Sequence, residues 1–287
     1  MRDDTPAIHK TGTLPKKIWF LWHQGWESAP SVVKECYRSW EALNPEWDVV
    51  FLTDENLSEY ILLDKYQRNN RILIQALSDI IRILLMHRHG GVWVDASIFC
   101  TRPLDEWIHF YVKNGFFSFS EKRDKKMISS WFLAASKNSY AVDIYAQKVE
   151  SYWCSGCTAP PSIARFFHKV LLKTKIDSSL ISVLYITKRL TGIYPYFWFH
   201  YLFEVCYNGN PQFARLWEST PKVFADGPHT LQSLGLYSPI TDDLKSYIDD
   251  NFSMGVHKLQ WQLQLPAPSG SILEYLIENN KKRYNYR

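Results

Sequence analysis

The sequence predicts an α/β fold, with a mainly parallel central sheet and a helical, aromatic-rich C-terminal part. Three observations carry this. Strand-like and helix-like segments alternate over residues 17–99, the order that builds a parallel sheet. An apolar helical run after Arg71 stops at Gly90-Gly91 and passes directly into a strand. From Pro160 to Tyr207 the chain turns aromatic and apolar, with Phe166, Tyr185, Trp198 and Phe203 among its rings.

Taken in order, Lys17 to Trp22 reads as a first buried strand, followed by a loop through Gly25 and Pro30 and a helix from Ser31 to Leu43. Trp47 to Leu52 alternates as a second strand, and Thr53-Asp54-Glu55-Asn56 caps a helix toward Tyr60. In the next helix Leu73, Leu77, Ile80 and Leu84 recur at helical period, while Ile72, Ala76, Ile83 and Leu85 make other faces apolar too. Such a helix is covered on more than one side. Gln75, Ser78, Asp79 and Arg82 then form a polar stripe, since positions three and four apart share a face. A stripe of this kind lines a solvated cleft, or else Asp79 and Arg82 merely pair on the surface for at most about 1 kcal/mol.

Gly90-Gly91 supplies the left-handed residue of a C-cap, and His87, Arg88 and His89 suit the negative end of the helix dipole. A strand starts at Val92, placing Trp93, Asp95 and Ser97 on one face and Val92, Val94 and Ala96 on the other. A carboxylate at the C-terminal end of such a strand sits where open α/β sheets bind ligands. A buried acid needs a partner, and a hard cation bridging diphosphate oxygens is one. Further on, Phe116 to Ser120 and Ser130 to Ala134 read as strands and Ser139 to Trp153 as a helix.

With 287 residues and a hydrophobic fraction of 46%, the chain builds one compact unit with a real core. It has no long linker, internal repeat or low-complexity segment. Residues 1–13 are expected to be a flexible N-terminus, with Arg2, Asp3 and Asp4 unlike a signal peptide, and 279–287 a loose basic tail. A net charge of +4 argues against a nucleic-acid binder. Five cysteines do not suggest a disulfide framework, and Cys154-Ser-Gly-Cys157 lacks the second pair that a structural zinc site needs. Charges such as Lys169, Lys173, Asp177, Lys188 and Glu204 interrupt every window long enough to span a bilayer. The aromatic region therefore either packs a helical subdomain over the sheet or presents a surface to lipid-linked saccharides.

Ser78-Asp79-x-x-Arg82 followed by Gly90-Gly91-x-x-x-Asp95 resembles the nucleotide-sugar glycosyltransferases of the glycosyltransferase 32 type, and more closely the capsular polysaccharide synthesis proteins grouped with them. The likeness includes Leu14-Pro15-Lys16-Lys17-Ile18-Trp19 with Trp22 and Gly25, Ser39-Trp40 to Asn44-Pro45, and Thr101-Arg102-Pro103-Leu104. It continues through Ser129-Ser130-Trp131-Phe132, Phe199 to Glu204 and Val256-His257-Lys258-Leu259. This resemblance implies a GT-A, Rossmann-like fold over 14–278, with 14–135 as the nucleotide-sugar-binding half and 136–278 as the helical acceptor-side half.

It also implies sugar transfer with retention from a nucleoside diphosphate sugar, UDP favoured, to a growing surface glycan such as capsular polysaccharide or lipopolysaccharide. The catalytic group would be Asp95, Arg82 and Asp79. Trp22 would stack on the base, with Ser78, Trp93, Ser97 and His257 as further donor contacts. Asp95, Ser97 and His257 are the candidate ligands for Mn or Mg. One departure matters: the wider class carries Asp-x-Asp, whereas this chain has Asp95-Ala96-Ser97, a form that resembles the capsular subgroup. Mg typically needs only one or two protein carboxylates. Ser97 then binds directly, binds through water, or simply finishes the strand, and His257 is either a ligand or structural.

Among lesser candidates, His200 and Glu204 share a helix face and either orient an acceptor or hold the core together. Trp131 and His229 carry the same two readings. The expected setting is cytoplasmic, at the inner face of a membrane where the acceptor is lipid-linked. A non-catalytic sugar-nucleotide or glycan-binding module and a membrane-surface adaptor are the competing functions. Donor binding without turnover marks the first, and liposome binding that survives loss of Asp79 and Asp95 marks the second.

Overall fold

The computed structural model describes residues 12–67, 72–121, 126–154, 194–250 and 254–286. Its central sheet is built from β1 (Lys17–Leu21), β2 (Asp48–Leu52), β3 (Gly91–Val94), β5 (Phe116–Ser118) and β6 (Phe132–Ala135), in the order β2-β1-β3-β6-β5. β1 pairs in parallel with β2 and β3, while β6 runs antiparallel to both β3 and β5. Four of the five strands thus point the same way and β6 alone opposes them, which is the mainly parallel sheet expected.

Strand alternation divides the core into two layers. Ile18, Phe20, Val92 and Val94 face α1 (Ser31–Leu43), whose Val32, Val33, Cys36 and Trp40 are fully buried. Trp19, Leu21 and Trp93 face the opposite layer, made by α3 (Ile74–His89), α5 (Tyr140–Cys154) and α6 (Trp198–Gly209). Burying each large side chain in such a layer is worth about 1.5–3 kcal/mol. Between β2 and α3 lie a single 3₁₀ turn at Leu57–Glu59, in place of the expected longer helix, and a one-turn α2 (Asp64–Gln67).

Gly90 and Gly91 join α3 to β3, with φ of 69° and 93°. A Cβ on Gly91 would lie 2.5 Å from the Lys17 carbonyl oxygen of β1, so the glycine permits the backbones to approach as well as turn. The strand expected from Val92, with alternation carried to Ser97, already ends at Val94. The Ile98 N–H donates to the Asp95 carbonyl at 2.9 Å, closing a turn that ends β3 and redirects the chain. β4 (Ile98–Cys100) then leaves the main sheet and pairs antiparallel with β7 (Val256–Lys258). The Trp40 indole donates to the Ile98 carbonyl at 2.8 Å, and the Cys100 N–H donates to Ser39 Oγ at 2.9 Å. These bonds fix β4 against α1.

The remaining helices are α4 (Ile108–Tyr111), α7 (Pro211–Ser219), α8 (Asp226–Leu234), α9 (Asp242–Asp249) and α10 (Ile272–Tyr284). Residues 279–286, expected as a loose tail, are instead docked at the end of α10. Asn280 is buried and its amide donates to the Cys100 carbonyl at 3.0 Å and to Tyr286 Oη at 2.8 Å. No helix among the described residues is long and apolar enough to cross a membrane. Residues 1–11 and most of the aromatic stretch, 155–193 with Cys157, lie outside the described residues.

Candidate active site

A cavity of about 850 Å³ opens at the C-terminal ends of β1 and β3. One wall is α3, presenting Gln75, Ser78, Asp79 and Arg82; another is the β3 end and its turn, presenting Trp93, Asp95 and Ser97. Trp22, just past β1, lines it as well, together with His23 and Trp261. The polar stripe read from the helix period therefore does face a cleft, because the apolar faces of α3 are consumed against the sheet and α5.

Arg82 is the centre of this arrangement. Its guanidinium stands 3.2 Å from Asp79 and 3.4 Å from Asp95, so the two acids meet through one cation. Nε donates to the Ser78 carbonyl at 3.3 Å, Nη1 donates to the Ser130 carbonyl, and the planar group lies over the Trp93 and Phe199 rings. An arginine held on several sides is preorganised.

Asp95 is gripped from elsewhere as well. The Trp93 indole donates to Oδ1 at 3.1 Å, and Lys258 of β7 donates to Oδ2 at 3.0 Å. Burial pushes the Asp95 carboxyl up, but Lys258 and then Arg82, aided by the hydrogen bonds, outweigh it and hold it down to about 2. Among the described residues Asp79 has Arg82 as its one ion-pair partner. Burial drives its carboxyl up to about 7, with the negative charge of Asp95 adding to the rise and Arg82 offsetting only part. Near neutral pH the cavity thus holds one fixed carboxylate and one that exchanges its proton.

His257 is in a different place from the one expected of a donor or metal contact. It pairs with Phe99 across the β4–β7 ladder, is fully buried, and lies 3.2 Å from Thr101 Oγ1. Burial lowers its imidazole to about 3, so it is a neutral core histidine. Alternation along β7 sends the next residue, Lys258, to Asp95 instead, behind that carboxylate and outside the cavity lining itself. Trp131 and His229 do not line the cavity; Trp131 stacks on Phe119 with ring centroids 4.9 Å apart and lies 5.4 Å from His229. His200 lines the cavity and Glu204 does not.

Two features escaped sequence reasoning: Lys258 on Asp95, and His23, whose Nδ1 meets Asp54 at 2.6 Å and whose Nε2 meets Ser78 Oγ at 3.0 Å. The segment Val256 to Leu259 was visible as a unit, but nothing local ties it to residue 95. Trp22 carries a further sign of use, for its buried indole N–H has no partner among the described residues.

These residues do not form a ready divalent-cation site. Asp95 has both oxygens engaged by cations or the Trp93 indole, and Asp79 faces Arg82. Among the described residues no cluster of three His, Cys, Asp or Glu is placed to hold a metal.

The family described as capsular polysaccharide synthesis protein matches residues 4–187 and 176–276. Among curated proteins the chain is similar to the inositol phosphoceramide mannosyltransferase 3 of Schizosaccharomyces pombe, 26% identical over 36% of this chain and 29% of that one. It is similar to the O-glycosyltransferase braB of Annulohypoxylon truncatum, 28% identical over 33% of this chain and 25% of that one. The glycosyltransferase afumC of Aspergillus fumigatus is 24% identical over 54% of this chain and 46% of its own length. The chain thus spans less than half the length of these curated relatives. Among solved structures, the PaToxG glycosyltransferase aligns over 86% of this chain and 87% of its own, at 14% identity and a TM-score of 0.39. Because the family match leaves out only the first three and last eleven residues, the chain belongs to the family of capsular polysaccharide synthesis proteins.

Proposed function

We propose that this chain is a glycosyltransferase of GT-A type that moves a hexosyl group from a nucleoside diphosphate sugar, UDP-linked by preference, to a hydroxyl of a surface glycan, with retention. The observation that carries the reading is the convergence of Asp79, Arg82 and Asp95 on one cavity large enough for a nucleotide sugar, with Trp22 at its edge. The kinship with proteins named glycosyltransferase and mannosyltransferase supports it.

In this reading Trp22 stacks on the base and offers its unpartnered indole N–H. Asp79 and Arg82 fix ribose and sugar hydroxyls, which lowers the barrier by positioning. The bond from the anomeric carbon to the β-phosphate oxygen breaks, its electron pair leaving with the phosphate. The acceptor oxygen bonds to the same carbon and its proton passes to the departing diphosphate. Positive charge around Asp95 opposes the charge that develops there.

Leu73, Ile74, Tyr196 and Trp261 line the cavity and are substantially exposed, which suits an acceptor with an apolar, lipid-linked end. The setting that follows is the cytoplasmic face of a membrane. A thermal-shift panel of UDP- and GDP-sugars tests the proposal, since a ligand that binds only the folded state raises the apparent melting temperature. A shift by one donor class, followed by release of its sugar, is expected; no shift with any donor would defeat it.

A further inference from the structure

We infer that the ammonium of Lys258, seated on Asp95, does the work a divalent cation does in metal-dependent transferases, and that this site transfers sugar without a bound metal. The inference deepens the glycosyltransferase reading and rests on it.

The argument begins with the missing carboxylate. Asp95-Ala96-Ser97 offers one acid where a metal-binding strand end offers two, and that acid is already engaged on both oxygens. Lys258 meets Oδ2 at 3.0 Å, while Arg82 stands 3.4 Å from Oδ1 and Trp93 donates to the same oxygen. A divalent ion seated on Asp95 would sit within ion-pair range of two fixed cations. Inside a partly buried wall that repulsion is weakly screened.

The fold spends a separate structural device on delivering this lysine. β7 reaches the site only by pairing with β4, and the Leu259 N–H donates to the Ser97 carbonyl at 2.7 Å, directly beside the turn that carries Asp95. Lys258 itself is mostly buried behind Asp95, with its side chain 18% exposed and its ammonium 6.0 Å from the Trp131 ring centroid, and it acts on the cavity from just outside its lining. A lysine so restrained is preorganised to meet charge as it develops.

The charges add up in the required direction. Asp95 contributes one negative charge and Arg82 and Lys258 one positive each, a net +1 toward an incoming diphosphate while Asp79, which shares Arg82, is protonated, and zero when it is ionised. As the anomeric C–O bond breaks and its electrons collect on the β-phosphate oxygen, the ammonium stabilises that oxygen without itself losing a proton. The proton released by the acceptor hydroxyl ends on the diphosphate, so Lys258 acts by charge alone.

The test uses the full chain after exhaustive chelation. Sugar release from UDP- and GDP-sugars is measured in EDTA and again with added Mn, and binding of UDP, GDP, uridine and guanosine is measured by calorimetry in both conditions. Turnover and diphosphate affinity that are equal with and without Mn are expected. Lys258→Met is expected to lose on the order of 100-fold in kcat, to weaken UDP or GDP binding about tenfold, and to leave nucleoside binding and the circular dichroism spectrum unchanged. Lys258→Arg is expected to restore part of the diphosphate affinity. Turnover abolished by EDTA and restored by Mn overturns the lysine proposal while sparing the transferase reading, and this arm stands even if Lys258→Met does not fold. Failure of every diphosphate and nucleotide sugar to bind overturns both.

Discussion

The two walls of the cavity carry the same functional group in opposite states. On α3, Asp79 shares one arginine and is pushed up to about 7; at the β3 turn, Asp95 has that arginine and Lys258 besides and is held down to about 2. Burial acts against ionisation at both. The number of cations in reach decides the outcome, and that number is set by where distant strands end. A carboxylate's role is therefore read from its neighbours' connectivity more than from its own position.

The comparison can be broken most severely at Asp95. Asp95→Ala is expected to lower turnover by about 1000-fold or more while leaving the fold intact, read by sugar release and circular dichroism; near-normal turnover would remove Asp95 from the mechanism. Arg82→Lys keeps the charge but cannot span both acids, and turnover is expected to fall about 100-fold. Its melting temperature should drop as well, since a buried carboxylate loses a partner.

The joint between the walls is a third point of attack. Gly91→Ala places a methyl 2.5 Å from the Lys17 carbonyl in a left-handed backbone, and a loss of about 3 kcal/mol is expected in urea unfolding. If stability is unchanged, the close approach of α3's end to β1 is not a constraint.

The protonation contrast itself is sharpened by pH. Asp79 rises from 3.8 to about 7 on folding, so its contribution to stability is complete below the ordinary carboxyl range and is lost as pH climbs toward 7. Asp79→Asn removes that loss, and its melting temperature relative to the parent is expected to be higher at pH 8 than at pH 4. Asp95 moves the other way: it stabilises above 3.8, and that contribution is lost as pH falls toward 2. Parallel profiles for the two asparagine variants would refute the contrast. The smallest effect is expected from His23→Ala, which leaves Ser78 Oγ with only its bond to the Ile74 carbonyl at the cost of about 1 kcal/mol or less, seen as a few-fold rise in KM at most.

Much of the α3 wall was legible in the sequence, because helical period and the Gly90-Gly91 stop are local signals. The polar stripe of Ser78, Asp79 and Arg82 needed no tertiary knowledge to stand out. The other wall was legible only as far as Asp95. Alternation reads on to Ser97, whereas a turn closed on the Asp95 carbonyl ends the strand at Val94 and hands Ile98 to Cys100 over to a second sheet. Alternation cannot report that exchange, since Ile98, Phe99 and Cys100 are buried on either path. The choice between His257 and Lys258 has the same origin: the ladder register, fixed by Phe99↔His257, decides which neighbour turns inward, and register between residues 158 apart has no local signature. The His23–Asp54 pair was missed because a loop and a cap were read separately.

The β4–β7 ladder ties residues 98–100 to residues 256–258, and α10 clamps the same strand through Asn280. All five strands of the main sheet are complete by Ala135. Until β7 docks, Asp95 has Arg82 as its sole cation among the pairs seen here, so the charge balance of this wall depends on a strand that lies outside the main sheet.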